Sequence, residues 1–280
     1  MYLVVSFCVN KSAASKKNKW KSDKERGVVI KLDFEKAYDS IDHGFLDEVL
    51  SSMGFGERWR GWIKECVSSP LLSVLVNGSP TPQFGIRRGL RQGDPLSPFL
   101  FNIVAEALSR MFVKASELGM IQGEDFGGSG IEISHLQFAD DTILFVKPKL
   151  EFICNIKRIL RCFELVSGLK INFSKSCCVR VGKRVVQDLV WASTLRCMAA
   201  SLLIKYLGIP LGSLPSTKAF WKPIVDRIKE RLKPWKRRFL TKSGKLILIK
   251  AILASIPTYF MSIFRMPIEI SRDISGYLGI

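Results

Sequence analysis

Two carboxylates in immediate succession, Asp140 and Asp141, interrupt a stretch that otherwise reads as a pair of strands, ISHLQF and TILFV. Apolar, partly β-branched runs on either side of a three-residue break predict a hairpin with the acidic pair at its bend. Adjacent like charges beside a core repel each other and lose hydration, and a bound cation removes both costs. Asp33 poses the same problem, because it closes the strand-like run GVVIKLDF at 27–34. A divalent cation shared by Asp33 and Asp140 answers both. Mg²⁺ is the natural choice, since it takes oxygen ligands and leaves places for substrate phosphates. The plain alternative is that Asp140 and Asp141 are ordinary turn residues, where aspartate is at home.

The charge balance weighs against that alternative. Lysine and arginine number 43 against 25 aspartates and glutamates, a formal net charge of +18 over 280 residues. Such an excess suits a polyanionic partner, nucleic acid first, and disfavours an enzyme of small neutral metabolites. A hydrophobic fraction of 47% excludes wholesale disorder. The opening run MYLVVSFCVN lacks a basic leader and is too short for a signal peptide. The most lipid-like stretch, 246–264, is broken by Lys250 and Pro257 and reads as an amphipathic helix followed by a loop. Seven cysteines without a CxxC pair, and two histidines (His43 and His135), argue against a zinc knuckle or a disulfide framework and suit a reducing interior.

Residues 11–26 hold seven basic and two acidic side chains and read as a solvated loop. Phe45, Leu46, Val49, Leu50 and Met53 recur at helical spacing, with Gly54 as a C-cap. LLSVLV, between Pro70 and Asn77-Gly78, predicts strands joined through an Asn-Gly turn. Ser97-Pro98 predicts a helix start, with Ser97 as N-cap and Leu100, Phe101, Val104, Leu108, Met111 and Phe112 on its apolar face. A glycine-rich loop occupies 123–130, and 149–166 is a second amphipathic helix with Ile153, Ile156, Ile159, Leu160 and Phe163 inward. Beyond about Gly212 the texture changes to helix-like runs at 220–232 and 244–254. Residues 222–250 carry eleven basic against two acidic side chains.

Two further motifs can carry chemistry. GLRQGDPLSP at 89–98 forms a tight loop entering a helix N-terminus, where backbone N–H groups and Arg91 suit phosphates or a templating base. If Asp33 holds a metal that binds an incoming triphosphate, Tyr38, five residues on, would lie against the sugar, where its ring would collide with a ribose 2′-hydroxyl and favour deoxynucleotides. Its alternative is a core tyrosine.

Taken in order and with their gaps, KLDFEKAYDSIDH, GIRRGLRQGDPLSPFLFNI, ISHLQFADDTILF, GLKINFSKS and KYLGIPLG closely resemble the palm of reverse transcriptases from non-LTR (LINE-type) retrotransposons, of the kind abundant in plants. The resemblance runs from about Asn10 to the C-terminus. It implies an α+β fold: a right-hand polymerase palm, an antiparallel sheet with packed helices, over 1–212 with partial fingers, and a basic thumb-like helical segment over 213–280. By the same resemblance Asp33, Asp140 and Asp141 are the catalytic, metal-binding carboxylates, and Lys175 protonates the leaving pyrophosphate, with Lys170 as the alternative. Phe34, Tyr38, Arg91, Gln92 and Gly93 contact the nucleotide, Tyr38 by screening out ribonucleotides, and Tyr206, Leu207 and Gly208 form the primer grip.

The implied activity is RNA-directed DNA synthesis by two-metal phosphoryl transfer. Its cofactor is Mg²⁺, two ions, with Mn²⁺ as a substitute, and its partners are an RNA template, a DNA primer and deoxynucleoside triphosphates. The basic segments 11–26 and 222–250, with Trp235 among Lys233, Lys236, Arg237 and Arg238, would grip the backbones. Family analogy implies a nuclear site. Complete members carry more fingers sequence upstream and usually an endonuclease domain, so the chain is expected to be truncated at both ends. The alternative function is a silent remnant that at most binds nucleic acid. A group II intron maturase or a telomerase-like enzyme shares the palm, but LRQGDPLSP, FADD and YLGIPLG lean towards the retrotransposon.

Overall fold

The computed structural model describes residues 27–125, 132–180, 186–200, 204–211, 213–232, 243–244, 247 and 249–278. The basic segment 11–26, most of the glycine-rich loop and the cluster from Lys233 to Arg238 lie outside the described residues. The chain divides into two compact units, one running from Lys24 to Ser201 and the other holding Leu202–Ile280.

In the first unit, β1 (Val28–Leu32) and the short β2 (Phe34–Glu35) lead through one helical turn, α1 (Ala37–Ser40), to α2 (His43–Ser52) and α3 (Glu57–Ser68). Asp42 caps α2 by accepting the Phe45 N–H at 2.9 Å, and Gly54, at φ +88°, ends it as the sequence predicts. β3 (Leu71–Leu72), β4 (Leu75–Val76), β5 (Ser79–Pro80) and β6 (Phe84–Gly85) nest as two pairs, β4 with β5 inside β3 with β6. Asn77 and Gly78 both take positive φ (50° and 84°), the demand of a type I′ bend.

The long helix α4 (Ser97–Glu117) buries Leu100, Phe101, Val104, Leu108 and Phe112, as its spacing predicts. Its cap differs from the expectation. Leu96 holds the cap position, and Ser97 Oγ donates to the Arg91 carbonyl at 2.7 Å instead. Asp94 does the capping: its Oδ1 accepts the Leu96 N–H at 2.8 Å and its carbonyl accepts the Ser97 N–H at 3.2 Å. A short carboxylate two residues ahead reaches that amide without strain.

Next come β7 (Glu124–Asp125), β8 (Glu132–Ile133), β9 (His135–Phe138), β10 (Asp141–Val146), α5 (Leu150–Ser167), β11 (Lys170–Ile171), β12 (Cys177–Arg180), α6 (Val186–Leu195) and β13 (Met198–Ala199). All five residues expected inward on α5 are buried. The main sheet runs β13-β12-β1-β10-β9, antiparallel except for β12 with β13. β1 is therefore its central strand.

Strand alternation sends Val28, Ile30 and Leu32, with Leu144 and Val146, into one core with the inner faces of α2, α4 and α5. Thr142 shares that face, and its hydroxyl is buried without a partner. Such a group costs about 1–3 kcal/mol. His135 ties β9 to α4, with Nε2 2.9 Å from Ser109 Oγ and Nδ1 3.0 Å from Ser134 Oγ. Burial lowers its pKa below the usual histidine value, a shift that nearby Glu106 partly opposes.

In the second unit, β14 (Ile204–Tyr206) and β15 (Ile209–Leu211) form a hairpin. α7 (Lys218–Leu232) packs Phe220, Trp221, Ile224 and Ile228 against Leu253, Phe260 and Ile270. Trp221 Nε1 donates to the Pro215 carbonyl at 2.7 Å. Within the helix expected at 244–254, Gly244 and Ile247 are α-helical, whereas Ile249–Leu253 form a π-helical turn, and the Ala254 N–H reaches back five residues to Ile249. α8 (Thr258–Met261) and α9 (Ile268–Leu278) complete the described residues, among which no helix is long and apolar enough to cross a membrane.

Candidate active site

The sheet register brings the three aspartates to one end of the first unit. β1 pairs with β10 from Val28↔Val146 to Leu32↔Thr142, so Asp33 and Asp141 are the residues immediately beyond the last pair of that ladder. β9 pairs with β10 up to Asp141↔Phe138, so Ala139 and Asp140 alone make the bend. The hairpin is thus tighter than the expected three-residue break, since Asp141 already belongs to β10. Ala139 takes φ +50°, a conformation glycine would hold without strain. Asp140 is left exposed at the tip.

Asp33 is fixed through its backbone. Its N–H donates to Ser176 Oγ at 3.1 Å, and its carbonyl accepts the Asn172 N–H at 2.8 Å. Ser176 Oγ in turn donates to the Asn172 carbonyl at 2.7 Å. Asn172 Oδ1 also accepts from the Lys175 N–H and from Ser174 Oγ, at 3.2 and 2.7 Å. The turn carrying Lys175 is therefore fastened to Asp33, with Lys175 exposed. Lys170 pairs instead across from Glu35 on the short β11–β2 ladder. Sequence reasoning missed Ser176 and Asn172; both lie inside GLKINFSKS, where the lysines drew attention.

It also missed Lys31, whose Nζ stands 3.2 Å from Asp141 Oδ1. Lys31 lies in β1 two residues before Asp33, which follows the strand, and this period-two spacing was the available signal. Among the described residues, no three histidine, cysteine, aspartate or glutamate side chains stand close enough together to hold a metal ion by themselves. The donor chemistry of Asp33 and Asp140 still fits a hard divalent cation whose remaining places go to phosphate and water.

The loop from Arg88 to Gly93 is clamped onto the segment after Asp33. The Gly89 N–H donates to the Ile41 carbonyl at 2.7 Å and the Leu90 N–H to the Tyr38 carbonyl at 2.6 Å. His43 Nε2 donates to the Gly89 carbonyl at 2.8 Å. Gly89 is required here: its φ is +89°, and a Cβ would fall 2.7 Å from the Asp39 carbonyl oxygen. Gln92 Nε2 reaches Asp39 Oδ1 at 3.4 Å, and Arg91 and Gly93 are exposed beside it. The anion cradle expected at the N-terminus of α4 is closed, because Asp94 takes up the Leu96 and Ser97 amides and Pro98 has none.

Tyr38 stacks on Phe101 of α4, ring centroids 4.9 Å apart and 21° between planes, and keeps part of its surface exposed. Phe34 is 7% exposed and its ring belongs to the core, which leaves its backbone for any nucleotide contact. In the second unit Tyr206 is buried at 2% exposure, and Leu207-Gly208 forms a bend with φ of 50° and 79°. The Leu207 carbonyl accepts Tyr259 Oη–H at 3.0 Å.

Residues 3–211 match the family model described as reverse transcriptase (RNA-dependent DNA polymerase), and the chain belongs to that family. Among curated relatives, the Transposon TX1 uncharacterized 149 kDa protein of Xenopus laevis is 28% identical over 240 residues, covering 81% of this chain and 17% of that protein. A retrovirus-related Pol polyprotein from the type-1 retrotransposable element R2 of Popillia japonica is 32% identical over 154 residues, 55% of this chain and 21% of its own length. The chain thus spans about a fifth of these relatives, and the expected kinship with retrotransposon reverse transcriptases is borne out. Among solved structures, apo telomerase from Candida tropicalis superposes with a TM-score of 0.51 at 13% identity, covering 94% of this chain and 46% of that one. That likeness concerns the fold, and it agrees with the α+β polymerase architecture.

Proposed function

We propose that this chain is the catalytic core of an RNA-directed DNA polymerase, extending a DNA primer on an RNA template. The observation that carries the reading is the convergence of Asp33, at the end of the central strand, with the Ala139-Asp140 bend of the neighbouring hairpin. Asp33 and Asp140 would hold the divalent cation, Mg²⁺ with two ions in the full arrangement. When bound, it supplies Lewis acidity towards the primer 3′-hydroxyl and the triphosphate.

The remaining work falls to the chain's own groups. Gln92 and Gly93, held against Asp39 and the Tyr38 backbone, position the incoming nucleotide, and exposed Arg91 offers charge to its phosphates. The free part of the Tyr38 ring meets the sugar, and its stacking on Phe101 keeps it from yielding to a 2′-hydroxyl. Lys175 Nζ donates a proton to the departing pyrophosphate. Lys175 is preferred to Lys170 because its turn is hydrogen-bonded to Asp33. The β14–β15 bend, Tyr206 to Gly208, acts as the primer grip.

Primer extension on poly(rA)/oligo(dT) with Mg²⁺ tests this. The 280-residue chain extends the primer, and Asp140→Asn abolishes extension while duplex binding stays within about twofold, because the carboxylate acts on the chemical step. Equal extension by the variant defeats the assignment. Binding without extension by the unaltered chain leaves only a nucleic-acid-binding protein.

A further inference from the structure

We propose that Lys31 is a positioning residue of this site, and that its ion pair with Asp141 withdraws Asp141 from metal ligation, leaving Asp33 and Asp140 as the ligating carboxylates. The proposal rests on the polymerase reading and sharpens it.

The geometry begins with the register. Lys31 sits between Ile143 on β10 and Cys177 on β12, its Cα partners on either side. Both neighbours are buried, Ile143 at 0% and Cys177 at 8% exposure. The aliphatic stem of Lys31 is therefore flanked by the sheet, and its side chain as a whole retains 24% exposure. From there Nζ reaches diagonally to Asp141 Oδ1 at 3.2 Å, and Asp141 is itself only 31% exposed. A pair held in this way by two flanking strands keeps its orientation, which a pair of exposed, freely rotating side chains does not.

The charge of these four groups suits a bound cation. Asp33, Asp140 and Asp141 bring three negative charges and Lys31 one positive, so the net is −2. That sum matches one divalent cation before any triphosphate arrives. Without Lys31, Asp141 would repel the neighbouring carboxylates across the bend. With it, Asp141 becomes an anchor that fixes the first residue of β10, and hence the bend presenting Asp140.

The test reads metal binding directly. Mn²⁺ affinity of the full chain is measured by electron paramagnetic resonance, without nucleic acid, for Asp33→Asn, Asp140→Asn, Asp141→Asn, Lys31→Met and Lys31→Arg. Asp33→Asn and Asp140→Asn are expected to weaken Mn²⁺ binding by about tenfold or more, as loss of a site group does, whereas Asp141→Asn changes it less than about threefold. Lys31→Met, which frees Asp141, leaves Mn²⁺ binding as tight or tighter.

In primer extension, Lys31→Met lowers kcat by about 10²-fold with KM for the nucleotide nearly unchanged, as a displaced catalytic group does, and Lys31→Arg restores most of the rate. Loss of Mn²⁺ affinity in Asp141→Asn equal to that in Asp140→Asn overturns the proposal while leaving the polymerase reading intact. Unchanged Mn²⁺ affinity in Asp33→Asn and Asp140→Asn overturns the polymerase reading, and the proposal with it. Should Lys31→Met fail to fold, Asp141→Asn and Lys31→Arg decide alone.

Discussion

Tyr38 is a packed residue to which the proposed function gives a chemical role as well. Its stacking on Phe101 answers to the core-tyrosine alternative, and its residual exposure answers to the sugar contact. The two roles predict separable effects of Tyr38→Ala. Truncating a stacked, half-buried ring lowers stability by about 1–3 kcal/mol, read as a shift in the denaturant midpoint. Removing the wall raises ribonucleotide over deoxynucleotide incorporation by about tenfold, the scale on which a pocket discriminates a small group. An unmoved ratio with lowered stability leaves Tyr38 as a core residue only.

At the same scale, the acidic residues were legible in the sequence because charge beside an apolar strand has few explanations. Lys31 was not, since a lysine inside a strand reads as solvated until the register shows what lies diagonal to it. Ser176 and Asn172 act through backbone geometry, for which a sequence carries no separate mark. Asp94 was hidden by a better-looking cap, Ser97-Pro98, one residue into the helix.

Between elements, the hydrogen bond between His135 and Ser109 joins the edge strand β9 to α4. Burial depresses the His135 pKa in the folded state, so the unfolded chain takes up the proton first. The stability tied to neutral His135 is complete above about pH 6.5 and is lost as pH falls from there through the folded pKa. Urea unfolding at pH 7.5 and 5.0 checks this: the midpoint falls on acidification, and it falls less in His135→Gln. Equal falls in both proteins remove His135 as the cause. Helices α2, α4 and α5 and the two hairpins were readable from period and turn chemistry. The π-turn at Ile249–Leu253 was not, because hydropathy does not distinguish a carbonyl four residues back from one five residues back.

For the molecule as a whole, the +18 net charge sets how it meets a polyanion. If six or more phosphates are neutralised on binding, affinity for an RNA–DNA duplex drops by about 10³-fold or more between 50 and 200 mM salt. Fluorescence anisotropy across that range gives the slope, and a flat response excludes backbone contact as the main source of affinity. Much of the excess charge sits in 11–26 and 233–245, so the sequence, more than the fold, carries this expectation. The family and its sheet were legible as five ordered blocks. The hairpin at 204–211 belongs to the compact unit that holds Leu202–Ile280.

The bend at Ala139-Asp140 has a consequence for how such a chain can vary over generations. Two residues are the shortest link between β9 and β10, and every inward-facing side chain of both strands depends on that count. The letters there can be exchanged, with Gly easing the backbone where Ala stands, but the spacing is rigid. One inserted residue forces either a bulge or a slip that turns the packed faces outward. Change at this corner of the gene is thus expected as codon replacement, and gain or loss of a single codon would disturb the site before the strands.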